Sequence, residues 1–281
     1  MIIVTGATGN VGRPLVAALA EAGEEVRAVS RRPSVADSPS GVQYVVADLA
    51  DPPSLGAAFD GGDALFLLLA GELLGGAGDP AQILEAARAG GVRRVVLLSS
   101  QITGTRPDSG SHEALQVFER AVRESGLDWT ILRAGGFASN AYAWADSVRK
   151  DRVVAWPFAD VALPVLHPAD IADVAAVVLR EPGHAGQVYD LTGPEAITPR
   201  EQAAALGTAL DAEVRFVELT REQAAEHMAR FMPPSVVEGT LDILGTPLPV
   251  EQQVSPDVEK ILGRRGRTFA DWARQNAAAF A

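Results

Sequence analysis

The residues that could do chemistry begin at the fifth position of this 281-residue chain. Thr5-Gly6-Ala7-Thr8-Gly9-Asn10-Val11-Gly12 spaces three glycines between an apolar run and a helical pattern. One glycine can make a tight turn, one can let the backbone approach a pyrophosphate, and one can let helix and strand pack closely. Backbone N–H groups at the helix start, helped by its dipole, then face the phosphates. The second signal is Ser30-Arg31-Arg32, at the end of the next strand-like run. An NAD binder usually carries an acid there, about twenty residues past the loop, for the ribose hydroxyls; an arginine suits the 2′-phosphate of NADP in charge and geometry. No acid sits at that strand end, so the sequence predicts NADP(H), with NAD(H) the less favoured cofactor. Arg13 could add to the same pocket.

Other chemistry is thinly represented. The chain has no cysteine, which excludes disulfides, thiolate metal sites and a cysteine nucleophile. No His/Asp/Glu cluster has metal-ligand spacing, and no metal is expected. Ser99 lacks the partners of a hydrolase triad. His167-Pro168-Ala169-Asp170 reads as a strand-to-helix junction with an acid near the helix start. His184 and His227 are isolated. Tyr142, Trp144, Trp156 and Phe158 fall where two lobes should meet, as an aromatic substrate wall or as core.

Elements must position these residues. Ile2 to Thr5 reads as a buried strand and Val11 to Ala22 as a helix closed by Gly23. Strand-like runs follow at Glu25 to Ser30, Val42 to Val46, Asp63 to Leu69, Arg94 to Leu98 and Trp129 to Arg133. Pro80 to Ala89 and His112 to Glu124 suit helices. This alternation implies a parallel sheet with right-handed crossovers. The fold class is α/β: a Rossmann-type doubly wound parallel sheet with a smaller C-terminal substrate lobe. Beyond about residue 150 prolines become more frequent. Asp170 to Leu179, Arg200 to Leu210, Arg221 to Phe231 and Phe269 to Phe280 look helical there, and Val188 to Leu191 strand-like. The expected division is 1–152 for the dinucleotide-binding part and 153–281 for the smaller lobe, with the lobes interleaved.

The net charge of −12 disfavours direct contact with nucleic acid or anionic lipid, because like charges repel. The start Met1-Ile2-Ile3-Val4 lacks the basic residues and long apolar core of a secretory signal. The longest apolar run, Ala64 to Ala70, is too short to span a bilayer. A cytoplasmic location is expected, with no membrane partner and a monomer or homodimer.

Taken together, the loop Thr5 to Gly12, Ser30-Arg31-Arg32, Asp48-Leu49, Ser99-Ser100 and Trp129-Thr130-Ile131-Leu132-Arg133 resemble the atypical short-chain dehydrogenase/reductases. The resemblance is closer to the NmrA-like branch, which includes NAD(P)H:quinone oxidoreductases and triphenylmethane reductases. Gly136-Phe137 with Asn140, Asp170-Ile171-Ala172 and Phe269-Ala270-Asp271-Trp272 also look like that branch. The resemblance implies that Gly6, Thr8, Gly9, Asn10, Val11 and Gly12 hold the pyrophosphate. It places Asp48 and Leu49 beside the adenine and Leu68, Leu69 and Ala70 on the ribose side. Ser99 should lie near the nicotinamide, and Gly135, Gly136 and Phe137 should cover it.

The wider superfamily carries Tyr-x-x-x-Lys on the helix after the fifth strand. His112 stands in the tyrosine's place here and Gln116 in the lysine's. His112 and Ser99 are the candidate catalytic residues, since histidine can act as a general acid near neutral pH. Glutamine supplies no charge. The expected activity is therefore hydride transfer from NADPH to a quinone-like or other conjugated small molecule, which depends less on a placed acid. Two alternatives stay open: a non-catalytic NAD(P)-sensing regulator, and an isomerase or dehydratase that uses bound cofactor transiently.

Overall fold

The computed structural model describes residues 1–32, 40–230 and 232–281, and only the backbone of Ser235. Nine strands are described: β1 (Ile2–Thr5), β2 (Val26–Ser30), β3 (Val42–Val46), β4 (Ala64–Leu68), β5 (Arg94–Ser100), β6 (Asp128–Ala134), β7 (Val153–Pro157), β8 (Gln187–Leu191) and β9 (Arg215–Leu219). The first half supplies helices α1 (Gly12–Glu21), α2 (Leu55–Phe59), α3 (Pro80–Ala89), α4 (Ile102–Thr105) and α5 (Glu113–Glu124). The second half adds α6 (Ala145–Asp151), α7 (Pro168–Arg180), α8 (Pro199–Leu210), α9 (Arg221–Met228), α10 (Pro234–Gly245), α11 (Asp257–Leu262) and α12 (Phe269–Gln275).

Seven strands form one parallel sheet in the order β3-β2-β1-β4-β5-β6-β8. Ile2, Ile3, Val4 and Thr5 are all buried, as a central parallel strand covered on both faces requires. Leu15, Leu19, Ile171, Val174 and Val258, from α1, α7 and α11, pack on one face. Leu55, Phe59, Ile83, Phe118 and Val122, from α2, α3 and α5, pack on the other. The chain reverses direction of growth between β1 and β4, and ligand crevices of such sheets open at that switch point.

The second half of the chain does not stay apart from the sheet. Past residue 152, α7 packs in the same core as α1, and β8 pairs with β6 from Thr130↔Gln187 to Ala134↔Leu191. The remainder forms a small lobe around the parallel pair β7–β9. Trp144, Val148, Leu206, Phe269 and Trp272 fill its larger core, and Ala224, Met228, Val237 and Leu241 a smaller one. The helical pattern expected through Phe231 ends as α9 at Met228, and Phe231 itself lies outside the described residues. The pattern expected through Phe280 breaks at Asn276, whose Nδ2 donates back to the Trp272 carbonyl at 2.8 Å; a short 3₁₀ turn, Ala277–Ala279, follows.

Candidate active site

The crevice at the switch point is built from β1 outward. Thr5 Oγ1 donates to the Phe66 carbonyl and accepts from Leu68 N–H, both at 2.9 Å, so the ends of β1 and β4 are stitched together. Gly6 then turns at φ +63°, where other residues are strained. Gly12 is packed so closely that a Cβ would lie 2.1 Å from the Gly6 carbonyl oxygen. The first turn of α1 has no side-chain cap and no acidic residue, so nothing offsets its positive dipole end.

A cleft of about 670 Å³ opens over this loop. Its walls contain Gly6, Thr8, Gly9, Asn10, Val11, Arg31, Arg32, Asp48, Leu49, Leu68, Ala70 and Phe137, all singled out in the sequence. Thr5, Val29, Ser30, Ala47 and Leu73 complete it. The Arg31 guanidinium reaches the backbone of Gly71, with Nη1 3.5 Å from where a Cβ there would be. Neither Arg31 nor Arg32 has a carboxylate partner among the described residues. The Ser30 hydroxyl, at the end of β2, is buried without a hydrogen-bond partner. Unpaired cations and a bare helix start on one wall fit the phosphates of a dinucleotide.

Six of the sequence-predicted residues stand outside that wall: Gly12, Leu69, Ser99, His112, Gly135 and Gly136. Gly12 lies beneath the loop, and Leu69 is buried in the core on the α2–α3–α5 face. Gly135 N–H donates to the Leu191 carbonyl at 2.8 Å, and the Gly136 carbonyl accepts from Leu166 N–H at 2.7 Å. These bonds hold the segment that presents Phe137 to the cleft.

Ser99 is committed elsewhere. Its hydroxyl donates to Glu119 Oε1 at 2.7 Å, and Thr103 donates to the same oxygen at 2.6 Å. Arg133 adds Nε to Oε1 at 3.0 Å and Nη2 to Oε2 at 2.7 Å. Burial pushes the Glu119 carboxyl up, but the bonds from Arg133, Thr103 and Ser99 outweigh it and hold the group below the usual carboxylate range. This knot ties β5, α4, α5 and β6 just behind the crevice.

His112 ends a 3₁₀ turn before α5 and its Nδ1 shares a hydrogen bond with Ser111 Oγ at 2.8 Å. Burial lowers its pKa below that of a free imidazole, so the ring is uncharged at neutral pH. Gln116 Nε2 donates to the Pro107 carbonyl at 2.7 Å. Both side chains at the Tyr and Lys positions are thus engaged with their own loop.

The aromatic residues pack largely on one another. Trp144 meets Trp156 edge-on at 5.6 Å, and Phe158 joins Trp156 in the smaller lobe core. Tyr142 meets Trp272 edge-on at 5.0 Å; both border a second hollow of about 300 Å³ that adjoins the glycine loop at Thr8, Gly9 and Asn10. His167 caps α7 by accepting from Ala169 N–H at 3.0 Å. Asp170 is fully buried and binds Arg264 and Arg267. Among the described residues no group of three or more His, Asp or Glu could hold a metal ion, and no helix is long and apolar enough to cross a membrane.

Residues 6–182 match the model of the NAD(P)H-binding family. The chain belongs to that family. A (4-alkanoyl-5-oxo-2,5-dihydrofuran-3-yl)methyl phosphate reductase from Streptomyces griseus is 37% identical, across 100% of this chain and 99% of its own. An NAD(P)H azoreductase from Xenophilus azovorans is 34% identical across 100% and 99%. Among solved structures, the NADPH-dependent quinone oxidoreductase QOR2 of Escherichia coli in complex with NADPH superposes with a TM-score of 0.81. It is 26% identical and the match covers 98% of this chain and 99% of that one. The match begins at Gly6, the first glycine of the loop over which the cleft opens.

Proposed function

We propose that this protein is an NADPH-dependent reductase of conjugated small molecules, quinone-like acceptors in particular. The observation that carries the cofactor is the β2 end of the cleft, where Arg31 and Arg32 stand together without a carboxylate partner among the described residues. Gly6, Thr8, Gly9, Asn10 and Val11 would hold the pyrophosphate, Asp48, Leu49 and Leu73 the adenine side, and Phe137 the nicotinamide side. The bound dinucleotide supplies a hydride.

What the chain's own residues do for the acceptor follows from what they lack. His112 is neutral at physiological pH and bonded to Ser111, and Gln116 is bonded to Pro107. A group that must give up a proton as hydride arrives is therefore missing from the positions where the wider superfamily keeps one. An aliphatic ketone becomes an alkoxide and needs such an acid, which typically contributes about 10²–10⁴-fold in rate. Acceptors that spread the incoming charge over a π system need it far less. The acceptors named for the relatives fit that class: a quinone, an azo group and an oxo-dihydrofuran.

The deciding assay follows loss of NADPH absorbance against quinones, azo and triarylmethane dyes and aliphatic ketones. Turnover with the conjugated set and little with ketones is expected. Tight NADPH binding with no turnover of any acceptor would replace the reductase reading with that of a nucleotide sensor. Efficient ketone reduction would show that a proton donor is present after all.

A further inference from the structure

The exit of β5 lies between the exits of β4 and β6, and both neighbours feed the cleft: Leu68 and Ala70 from β4, Phe137 from beyond β6. The first residue past β5 is Gln101. Its backbone is fully occupied, with N–H donating to the Ala134 carbonyl at 2.9 Å and its own carbonyl accepting from Gly104 and Thr105 N–H at 3.0 and 3.1 Å. Its side chain is not. Gln101 is 7% exposed, yet its carboxamide makes no hydrogen bond to any described residue. Unlike the Ser30 hydroxyl and the Trp144 indole N–H, that amide is not sealed from solvent. Its Oε1 lies 3.6 Å from where a Cβ on Gly135 would sit, so the side chain reaches across the mouth of β6.

A carboxamide brings two donors and one acceptor, and a buried one is expected to be paired. Each other polar side chain near the β5 exit has its partner: Ser99 and Thr103 bind Glu119, Ser100 Oγ accepts from Ile102 N–H, and Thr105 and Arg106 bind Glu251. Gln101 alone of these leaves its hydrogen bonds unspent; it is not one of the residues that wall the cleft, and its carboxamide lies beside Gly135, two residues before Phe137, which is. Resting on the reductase reading above, we propose that Gln101 donates a hydrogen bond to the carbonyl oxygen of the acceptor. It is the catalytic residue that takes over charge stabilisation where the Tyr position holds His112.

The chemistry suits an amide. The acceptor takes up a hydride, two electrons and one proton, from the reduced dinucleotide, which is oxidised. The negative charge that arrives settles on a carbonyl oxygen, and water supplies the second proton to give the hydroquinone. An amide N–H is too weak an acid to hand over its proton, but a fixed donor aimed at a developing oxyanion lowers the barrier. That matches acceptors whose charge is already delocalised, and leaves aliphatic ketones unserved.

The test uses Gln101→Leu and Gln101→Glu in the full chain, with menadione and crystal violet as acceptors. Crystal violet takes hydride on carbon and has no carbonyl oxygen, so a donor to oxygen does nothing for it. The expected result is a fall in menadione kcat of about 10²-fold or more in both variants, by the usual size of a lost oxyanion donor. Menadione KM should change far less. In Gln101→Leu the calorimetric Kd for NADPH and the rate with crystal violet should stay at wild-type values. Equal losses with both acceptors would assign Gln101 a structural role, weakened NADPH binding would assign it to the nicotinamide, and unchanged menadione turnover would remove it from the chemistry; each overturns the proposal while leaving the reductase reading intact. If the wild type reduces neither acceptor, the reductase reading fails, and the proposal that rests on it fails with it.

Discussion

Replacing Ser99 by alanine separates a residue that holds the site from one that reacts in it. The hydroxyl donates to Glu119 at 2.7 Å in a pocket where Ser99 and Glu119 are each 5% exposed. A hydrogen bond to a charged group contributes about 1.5–3 kcal/mol. Glu119 keeps Thr103 and both Arg133 bonds in the variant, so the loss belongs at the lower end, about 1.5 kcal/mol. At about 2–4 °C per kcal/mol for chains of this size class, the melting temperature should fall by about 3–6 °C. Glu119→Ala should do more. It leaves the Arg133 guanidinium unpaired behind β5 and β6, and breaking a buried pair on one side costs about 3–5 kcal/mol. Thermal melts give the stability, and menadione turnover at saturating NADPH, well below the melting point, gives the chemistry. Ser99→Ala should retain wild-type kcat to within a few-fold. A kcat loss of about a hundredfold with an unchanged melting temperature would refute this reasoning and restore Ser99 as a catalytic group.

Three further outcomes are open to measurement. Arg31→Ala/Arg32→Ala should weaken NADPH about tenfold or more by calorimetry and leave NADH unchanged, because each charge-assisted contact to a 2′-phosphate contributes about 1.5–3 kcal/mol; equal wild-type affinity for the two nucleotides would sink it. Gly12→Ala should abolish nucleotide binding, since its Cβ meets the Gly6 carbonyl oxygen at 2.1 Å and Ala7 Cα at 2.8 Å and backbone must move; a variant that binds NADPH normally would contradict the loop packing. Burial pushes Glu251 up, but the bonds from Arg106, Leu248 N–H and Thr105 hold its pKa below 4.5, as Glu119 is held by its own partners. A carboxyl depressed in the folded state adds stability that is present above its unfolded pKa and lost as pH falls through the lower folded value. Chemical denaturation should therefore show stability falling steeply below about pH 4.5 in the wild type and less steeply in Glu251→Gln; identical slopes would argue against the pair.

The sheet was legible because its strands are unbroken apolar runs between glycine punctuation. Ile2–Thr5, Ala64–Leu68 and Arg94–Ser100 each need cover on both faces and say so in their residues. β7 and β9 were not legible: among the described residues they pair only with each other, and Arg215–Leu219 has no fully buried residue, so no periodicity marks it. The glycine loop and the arginines were readable because backbone approach and phosphate charge demand those residue types. Leu73, which arrives in the cleft from a 3₁₀ turn, has no such demand. Glu119 did leave a trace. It falls at helical spacing with Leu115, Phe118 and Val122, an acid on an apolar stripe, and such an acid must find partners. Its partners, Ser99 on β5 and Arg133 on β6, become neighbours only when those strands pair at Ser99↔Arg133. Gln101 gave no signal at all, since one glutamine after a strand is distinguished only by what fails to bond to it.

The two most deeply buried ionic clusters of the second half both land on the sheet layer. Glu251 grips Arg106 and Thr105 just beyond the β5 exit, and Asp170, on α7, grips Arg264 and Arg267 from the segment leading into α12. Each carboxylate is at most 2% exposed, and an ion so buried holds only while its geometry is kept. The segments that approach the β5 and β6 exits are therefore fixed to the same frame that shapes the dinucleotide cleft. A hydride donor and its acceptor must meet within a narrow distance, and an error of an ångström at that meeting costs about 10²-fold in rate. The dinucleotide cleft is set by glycine packing and strand register, which leave little freedom to change. The small lobe packs its own cores around Trp144, Trp272 and Met228, and it is joined to the sheet layer by these ionic anchors and by backbone bonds such as Ala138 N–H to the Leu166 carbonyl at 2.9 Å. Substitutions in the cores of that lobe should leave the packing of the glycine loop in place while the anchors at Glu251 and Asp170 hold.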